Sequence, residues 1–268
     1  MTAPGGHDAL VREQFARQAE AMSDPRYSFA APAVLEWIVA NLPLARGDEI
    51  LDVAGGAGQL ARALAPHVRR ATVLDMTPEM LAAGRRETAA AGVENVAFER
   101  GDAARMPYAD ASFDLVVTRF AVHHFERPAV QLAEMARVCR PGGHVAAIDL
   151  IAADPGRADG YNRLERLRDP SHAEALTAEG LTAAVAATGV EVVHVAARDR
   201  AVEVERWLSQ TSTPEEAAAE LRALLGAEAD GGAPTGMRAH RHDGRLWLTH
   251  RFQIVAGRKP THSGSVKW

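Results

Sequence analysis

The sequence predicts an α/β fold built on a doubly wound, mostly parallel sheet. Three observations carry that expectation. Strand-like apolar runs alternate with helical patterns five times between residues 49 and 150, the signature of successive βαβ units. The first run, Glu49–Val53, opens directly into a small-residue turn, Ala54-Gly55-Gly56-Ala57-Gly58. Acidic residues then recur at strand ends, at Asp52, Asp75 and Asp102, where ligands of open α/β sheets bind.

Composition sets the outer bounds. The 268 residues are 47% hydrophobic and 24% charged, with a net charge of −5. That is enough apolar material for one large domain, or one domain carrying an insert. No basic excess argues for a nucleic-acid or anionic-membrane partner. The lone cysteine, Cys139, excludes an intramolecular disulfide and a Cys-rich zinc site. No apolar run reaches the roughly 18 residues of a membrane helix. The first residues lack a basic region followed by an apolar stretch, so the expected location is the cytoplasm. Lysine occurs only at Lys259 and Lys267, the other basic residues being arginine. The arginines are scattered, which fits codon usage better than an anion-binding surface.

The elements follow in order. Residues 8–22 carry Leu10, Val11, Phe15, Ala19 and Met22 at helical spacing. A second helix is expected from Pro32 to Leu42, with proline tolerated in the first turn. After Glu49–Val53 and its glycine turn come a helix over Gln59–His67 and a strand over Ala71–Leu74 that ends on Asp75. Thr77-Pro78-Glu79 starts a helix that Gly92 stops. Strands are expected at Val96–Glu99, Phe113–Thr118 and His144–Leu150, with a helix over Ala129–Cys139 closed by Arg140-Pro141-Gly142-Gly143. Residues 153–176 read as polar and turn-rich, a cover for the mouth of the sheet. Beyond them are expected a helix (Leu176–Thr188), a strand (Val190–Ala196), a helix (Pro214–Leu225) and a long strand (Leu246–Val255). His240-Arg241-His242 reads as a solvated turn.

The glycine turn offers close backbone approach and free helix N–H groups. Gly56-Ala57-Gly58-Gln59-Leu60-Ala61 fits the dinucleotide pattern, and Asp75 lies 17 residues beyond Gly58, so a nicotinamide or flavin enzyme is one reading. Charge favours another. A pyrophosphate would meet Asp52, whereas S-adenosyl-L-methionine brings a sulfonium and an ammonium with no phosphate. Asp75 could accept both ribose hydroxyls. Asp102 could accept from the adenine amino group, with the Ala103 N–H meeting a ring nitrogen.

These residues also carry a resemblance. Ile50-Leu51-Asp52-Val53-Ala54-Gly55-Gly56-Ala57-Gly58 resembles motif I of the class I S-adenosylmethionine-dependent methyltransferases. Val73-Leu74-Asp75-Met76-Thr77-Pro78-Glu79 is similar to their second motif. Gly101-Asp102-Ala103, with Met106-Pro107-Tyr108 and Ser112-Phe113-Asp114, resembles the third and fourth, and Arg140-Pro141-Gly142-Gly143 the turn before strand five. The resemblance covers about residues 45–150 and is nearest to the ubiquinone/menaquinone-biosynthesis-like (methyltransferase type 11 domain) group. Ala54 departs from it, standing where the family usually has glycine. The resemblance implies a Rossmann-like seven-stranded sheet with the last strand antiparallel, and a division into an N-terminal helical lid (1–45) and the cofactor-binding domain (46–268), with a lid over 151–180. It implies S-adenosyl-L-methionine as cofactor, S-adenosyl-L-homocysteine as product, and Asp52, Ala54, Gly56, Gly58, Asp75, Met76, Asp102, Ala103 and Arg119 as cofactor contacts.

Methyl transfer asks the protein to align nucleophile, methyl and sulfur and to exclude water. It needs no metal. A hydroxyl or acidic-carbon acceptor also profits from a base. Two histidines follow strand four, His123 and His124, and one of them is the expected base; adjacent side chains diverge, and the sequence does not choose between them. Arg119 reads either as a contact to the cofactor carboxylate or an acidic substrate, or as an ion-pair partner of Asp75 or Asp114. Phe15 and Gln18, and Tyr161, Arg168 and His172 in the lid, are the candidate substrate contacts. The expected acceptor is a small, mostly apolar molecule, quinone-like or a secondary metabolite, and the expected assembly a monomer or homodimer. A same-fold enzyme catalysing a non-methylating reaction such as cyclisation is the alternative.

Overall fold

A computed structural model describes residues 6–18, 31–211 and 213–261. The far end of the helix expected over 8–22 and the side chain of Gln18 lie outside the described residues. The described helices are α1 (Gly6–Gln18), α2 (Pro32–Ala40), α3 (Gln59–Leu64), α4 (Pro78–Ala90), α5 (Pro128–Val138), α6 (Ala158–Arg168), α7 (Ala178–Ala186), α8 (Val204–Ser209) and α9 (Glu215–Ala229). The strands are β1 (Glu49–Val53), β2 (Arg70–Asp75), β3 (Val96–Arg100), β4 (Phe113–Arg119), β5 (Cys139–Ile151), β6 (Glu191–Glu203), β7 (His240–His242) and β8 (Arg245–Arg258).

The sheet runs β3-β2-β1-β4-β5-β8-β6, with β7 also paired to β8. The first five strands are parallel, and β8 enters antiparallel between β5 and β6. This is the expected doubly wound order with one addition. His240–His242, expected as a turn, pairs with Leu246 and its neighbours, making an eighth short strand. The order reverses beside β1, so the carboxyl ends of β1 and β4 flank the crevice in which such sheets bind ligands.

Apolar side chains cover both sheet faces. On one, Val34 and Ile38 of α2 and Leu60, Ala61 and Leu64 of α3 pack on Ile50, Val117 and Ile254. On the other, Leu132 and Met135 of α5 and Leu181 and Val185 of α7 pack on Leu51, Val116 and Val255. Hence α2 belongs to the sheet's core, and of the expected N-terminal lid α1 alone is seen at the crevice. A third core joins α6, α8 and α9 around the fully buried Trp207. It forms the wall that rises beside the ends of β4 and β5.

Candidate active site

The loop after β1 is shaped by backbone conformation. Ala54 and Gly56 take φ of +52° and +55°, a region open to glycine and costing an L-residue about 1–2 kcal/mol. Ala54 therefore holds a strained backbone at the point where the chain leaves the sheet. Gly55 is fixed by contact instead: a Cβ there would come within 2.7 Å of the Asp52 carboxyl group. Asp52 lies beneath the loop, fully buried, and neither of its oxygens has a hydrogen-bond partner. Burial pushes its pKa up to about 7, against the pull of Arg119. Gly58 starts α3, and a side chain there would strike the Phe98 ring at 2.7 Å.

Asp75 closes the loop from the end of β2. Its two oxygens accept the backbone N–H groups of Gly56 and Thr77, each at 2.8 Å. Each keeps a lone pair for a further donor. Asp102, after β3, is exposed and accepts the Ala104 N–H at 2.7 Å. Arg119 donates to Gln59 at 3.0 Å and lies over the Phe120 ring at 5.2 Å. Asp114 is engaged elsewhere, by Arg140 at 2.7 Å and by the Glu49 N–H.

Past β4 the chain turns sharply through Phe120, whose φ is +54°, into a single helical turn over Val122–His124. The two histidines diverge. The His123 Nδ1–H meets Asp149 at 2.5 Å, and the His123 backbone N–H donates to the other oxygen of the same carboxylate at 2.8 Å. Burial alone would lower the His123 pKa, but Asp149, with Glu165 and Asp169 beyond it, raises it above the ordinary value. His124 instead donates from Nδ1 to the Ser171 carbonyl at 2.9 Å. Burial and the neighbouring His123 push its pKa down to about 4. One imidazole is thus held by a buried carboxylate, and the other clasps the loop after α6 through the Ser171 carbonyl.

That loop is strapped down. Ala173 and Glu174 donate their N–H groups to the His123 carbonyl. The Asn162 Oδ1 of α6 accepts both the Ala175 N–H and the His172 Nε2–H, at 2.7 Å each. Asp169 turns the chain, taking the Ser171 hydroxyl at 2.6 Å. Behind α6, the Tyr161 hydroxyl meets the His250 Nδ1 at 3.0 Å. From the other side α1 leans in: Phe15 sets its edge against His124 at 5.0 Å, and His7 donates to the His124 carbonyl.

These parts enclose one cleft of about 180 Å³. Of the residues expected from sequence, Ala54, Gly56, Asp75, Met76, Asp102, Ala103, Arg119, His123, His124, Phe15, Arg168 and His172 line it. Three do not. Asp52 sits behind Gly55 and reaches the cleft by charge alone. Gly58 packs α3 on β3. Tyr161 points away, into the third core, and backs the wall through His250. Asp149, Glu165, Gln210 and Thr211 were not singled out from sequence, yet the last three line the cleft and Asp149 holds its histidine. Among the described residues no group of three or more His, Cys, Asp or Glu side chains could hold a metal ion. Nor is any described helix long and apolar enough to cross a membrane.

A glycine loop over a buried, unpartnered carboxylate, with a second carboxylate at the adjacent strand end, suits a cationic nucleoside better than a pyrophosphate. The fold and this loop together define a nucleoside-binding α/β protein. Residues 51–147 match the methyltransferase domain family. The chain is 30% identical over 201 residues to the uncharacterized methyltransferase YcgJ of Bacillus subtilis, spanning 75% of this chain and 79% of that one. It is 39% identical over 123 residues to the ubiquinone/menaquinone biosynthesis C-methyltransferase of Roseobacter denitrificans, covering 44% of this chain and 46% of that one. The solved YcgJ structure superposes with a TM-score of 0.76 at 26% identity, over 84% of this chain and 97% of that one. The [4+2]-cyclase SpnF shares the fold at 18% identity and a TM-score of 0.67, over 98% of each chain. The chain belongs to the methyltransferase family, and its cofactor is S-adenosyl-L-methionine. The nicotinamide or flavin reading of the glycine loop is thereby set aside.

Proposed function

We propose that the protein methylates an oxygen or an acidic carbon of a small molecule, with His123 as general base and Asp149 as its positioning partner. The observation that carries this reading is the dyad. One buried carboxylate clamps both the ring and the backbone of His123, beside the same cleft that the glycine loop borders. The bound cofactor supplies a methyl group already activated by its sulfonium. What remains for the chain is to hold the acceptor in line and take its proton. Nδ1 is committed to Asp149, so Nε2 is the nitrogen left to accept that proton.

In the other half of the cleft, Gly56 and its neighbours would hold the amino-acid end of the cofactor, and Asp75 would accept the ribose hydroxyls on its remaining lone pairs. Met76, Asp102 and Ala103 would border the adenine and Arg119 the cofactor carboxylate, with Asp52 supplying negative charge from beneath. The acceptor is more polar than the sequence suggests. Phe15, Phe120, Phe125 and Leu150 give the cleft apolar walls, but Glu165, Arg168, Asp169, His172, Gln210 and Thr211 also line it. The C-methyltransferase likeness spans 44% of the chain and favours carbon only to that extent.

The test is turnover against pH, with S-adenosyl-L-homocysteine as the measured product. A neutral His123 is required, so the rate rises as pH climbs through a midpoint above that of an ordinary histidine, because Asp149 holds the charged form. Asp149→Asn removes the charge that raises that midpoint, so the midpoint moves down and the maximal rate falls. Acceptor consumed without S-adenosyl-L-homocysteine formed would point instead to a cyclase-like reaction.

A further inference from the structure

We propose that the acceptor carries a carboxylate group and that the Arg168 guanidinium receives it. The proposal rests on the methyltransferase reading of the cleft and names the class of its substrate.

Arg168 is the last residue of α6, so the negative end of the helix supports its charge. Its side chain is 10% exposed, and the residue lines the cleft. One face is set by the Trp207 ring, 4.9 Å from the guanidinium carbon. Its backbone is pinned as well, because the Thr211 and Thr213 hydroxyls donate to the Arg168 carbonyl at 3.3 and 3.2 Å. The fork, however, is not satisfied. Nε and Nη1 have no hydrogen-bond partner, and the nearest carboxylate, Glu165, stands 3.5 Å from Nη1, beyond normal hydrogen-bond length. A buried guanidinium presents five donors, and each one left unmade is costly.

Glu165 does not neutralise this cation fully. It is buried at 2% exposure, its Oε1 has no hydrogen-bond partner, and burial raises its pKa. Asp169, the next residue, holds the Ser171 N–H and hydroxyl through Oδ1. A built cation, rigid, desolvated and short of acceptors, thus borders the cleft that also holds the base. A planar carboxylate matches the guanidinium fork and adds one negative charge. A dianionic phosphate would carry a second charge toward Asp169 and Asp149, which are already there. Gln210 and Thr211 at the same wall offer neutral groups to the rest of the acid.

The experiment is ligand-observed NMR on the full chain, with and without saturating S-adenosyl-L-homocysteine. The probes are hydroxylated aromatic acids, 4-hydroxybenzoate first, each paired with its carboxamide. Wild-type protein is expected to prefer each acid to its amide by about tenfold or more. Because removing Arg168 alone strands a buried Glu165, the variant is the double substitution Glu165→Gln with Arg168→Gln. It should lose the preference while its S-adenosyl-L-homocysteine affinity stays within about twofold, since neither side chain is assigned to the cofactor half. Equal binding of acid and amide, no binding of either, or a preference that survives in the double variant would overturn the proposal. The preference reads Arg168 whether or not the cofactor product binds; failure of that product to bind contradicts the methyltransferase reading alone.

Discussion

The two halves of the cleft are built by different means. The cofactor half is a backbone construction. Its conformations are local, set within residues 52–58, 75–77 and 101–104, and its side chains are short acids at consecutive strand ends. The acceptor half is a side-chain construction, drawn from Phe15, His123, Asp149, Glu165, Arg168, His172 and Gln210, which are separated by up to most of the chain. A backbone cradle changes little when surface residues change, whereas a side-chain wall can be rebuilt for a new acceptor on the same sheet. The methyltransferase domain match accordingly runs over residues 51–147, which contain the whole cofactor half.

This contrast predicts separable defects. The largest is expected from His123→Ala, which removes the base and should lower turnover by about 10²–10⁴-fold. His124→Ala, removing a neutral clasp on the Ser171 carbonyl, should cost far less; equal losses would erase the distinction drawn between the rings. Next comes Asp75→Ala. It deletes two acceptors that shape the glycine loop as well as the ribose contact, and should weaken S-adenosyl-L-homocysteine binding by about 10–100-fold, measured by calorimetry.

A smaller effect concerns Asp52. Its carboxyl group ionises at about 7, and a cationic ligand favours the ionised form. Binding should therefore release a proton, and S-adenosyl-L-methionine affinity should rise as pH increases through 7. Asp52→Asn should flatten that dependence; a slope unchanged in the variant would detach the charge from the cofactor. The smallest effect is at Ala54. Glycine relieves its positive φ, a gain of about 1 kcal/mol, or about 2–4 °C in Tm for a domain of this size. A lower Tm would show that the loop is not strained.

The same contrast explains what could be read from sequence. The parallel strands, the glycine turn and the acids after β1, β2 and β3 were legible because each is a short pattern whose meaning is local. The helix α6 was not. Its face toward the cleft carries Asn162, Glu165 and Arg168, so the buried side is polar and the apolar period is broken. Residues 153–176 consequently read as turns. Tyr161, expected in the cleft, shares a helical face with Glu165 and Arg168, but its ring is buried in the third core, where its hydroxyl meets His250. Asp149 lies inside the expected strand His144–Leu150 without being singled out, although an acid within the otherwise apolar, buried run 145–151 is itself a signal that something must pair with it. The strand β6 extends seven residues past its expected end at Ala196, because it follows β8 beyond the rest of the sheet.

The separation of the halves is tested most directly by titrating S-adenosyl-L-homocysteine into the Asp75→Ala and His123→Ala proteins side by side. Affinity should collapse in the first and stay within about twofold of wild type in the second, since His123 is held by Asp149 and not by the loop. An equal loss in both would mean that the cleft is a single coupled site and contradict the account.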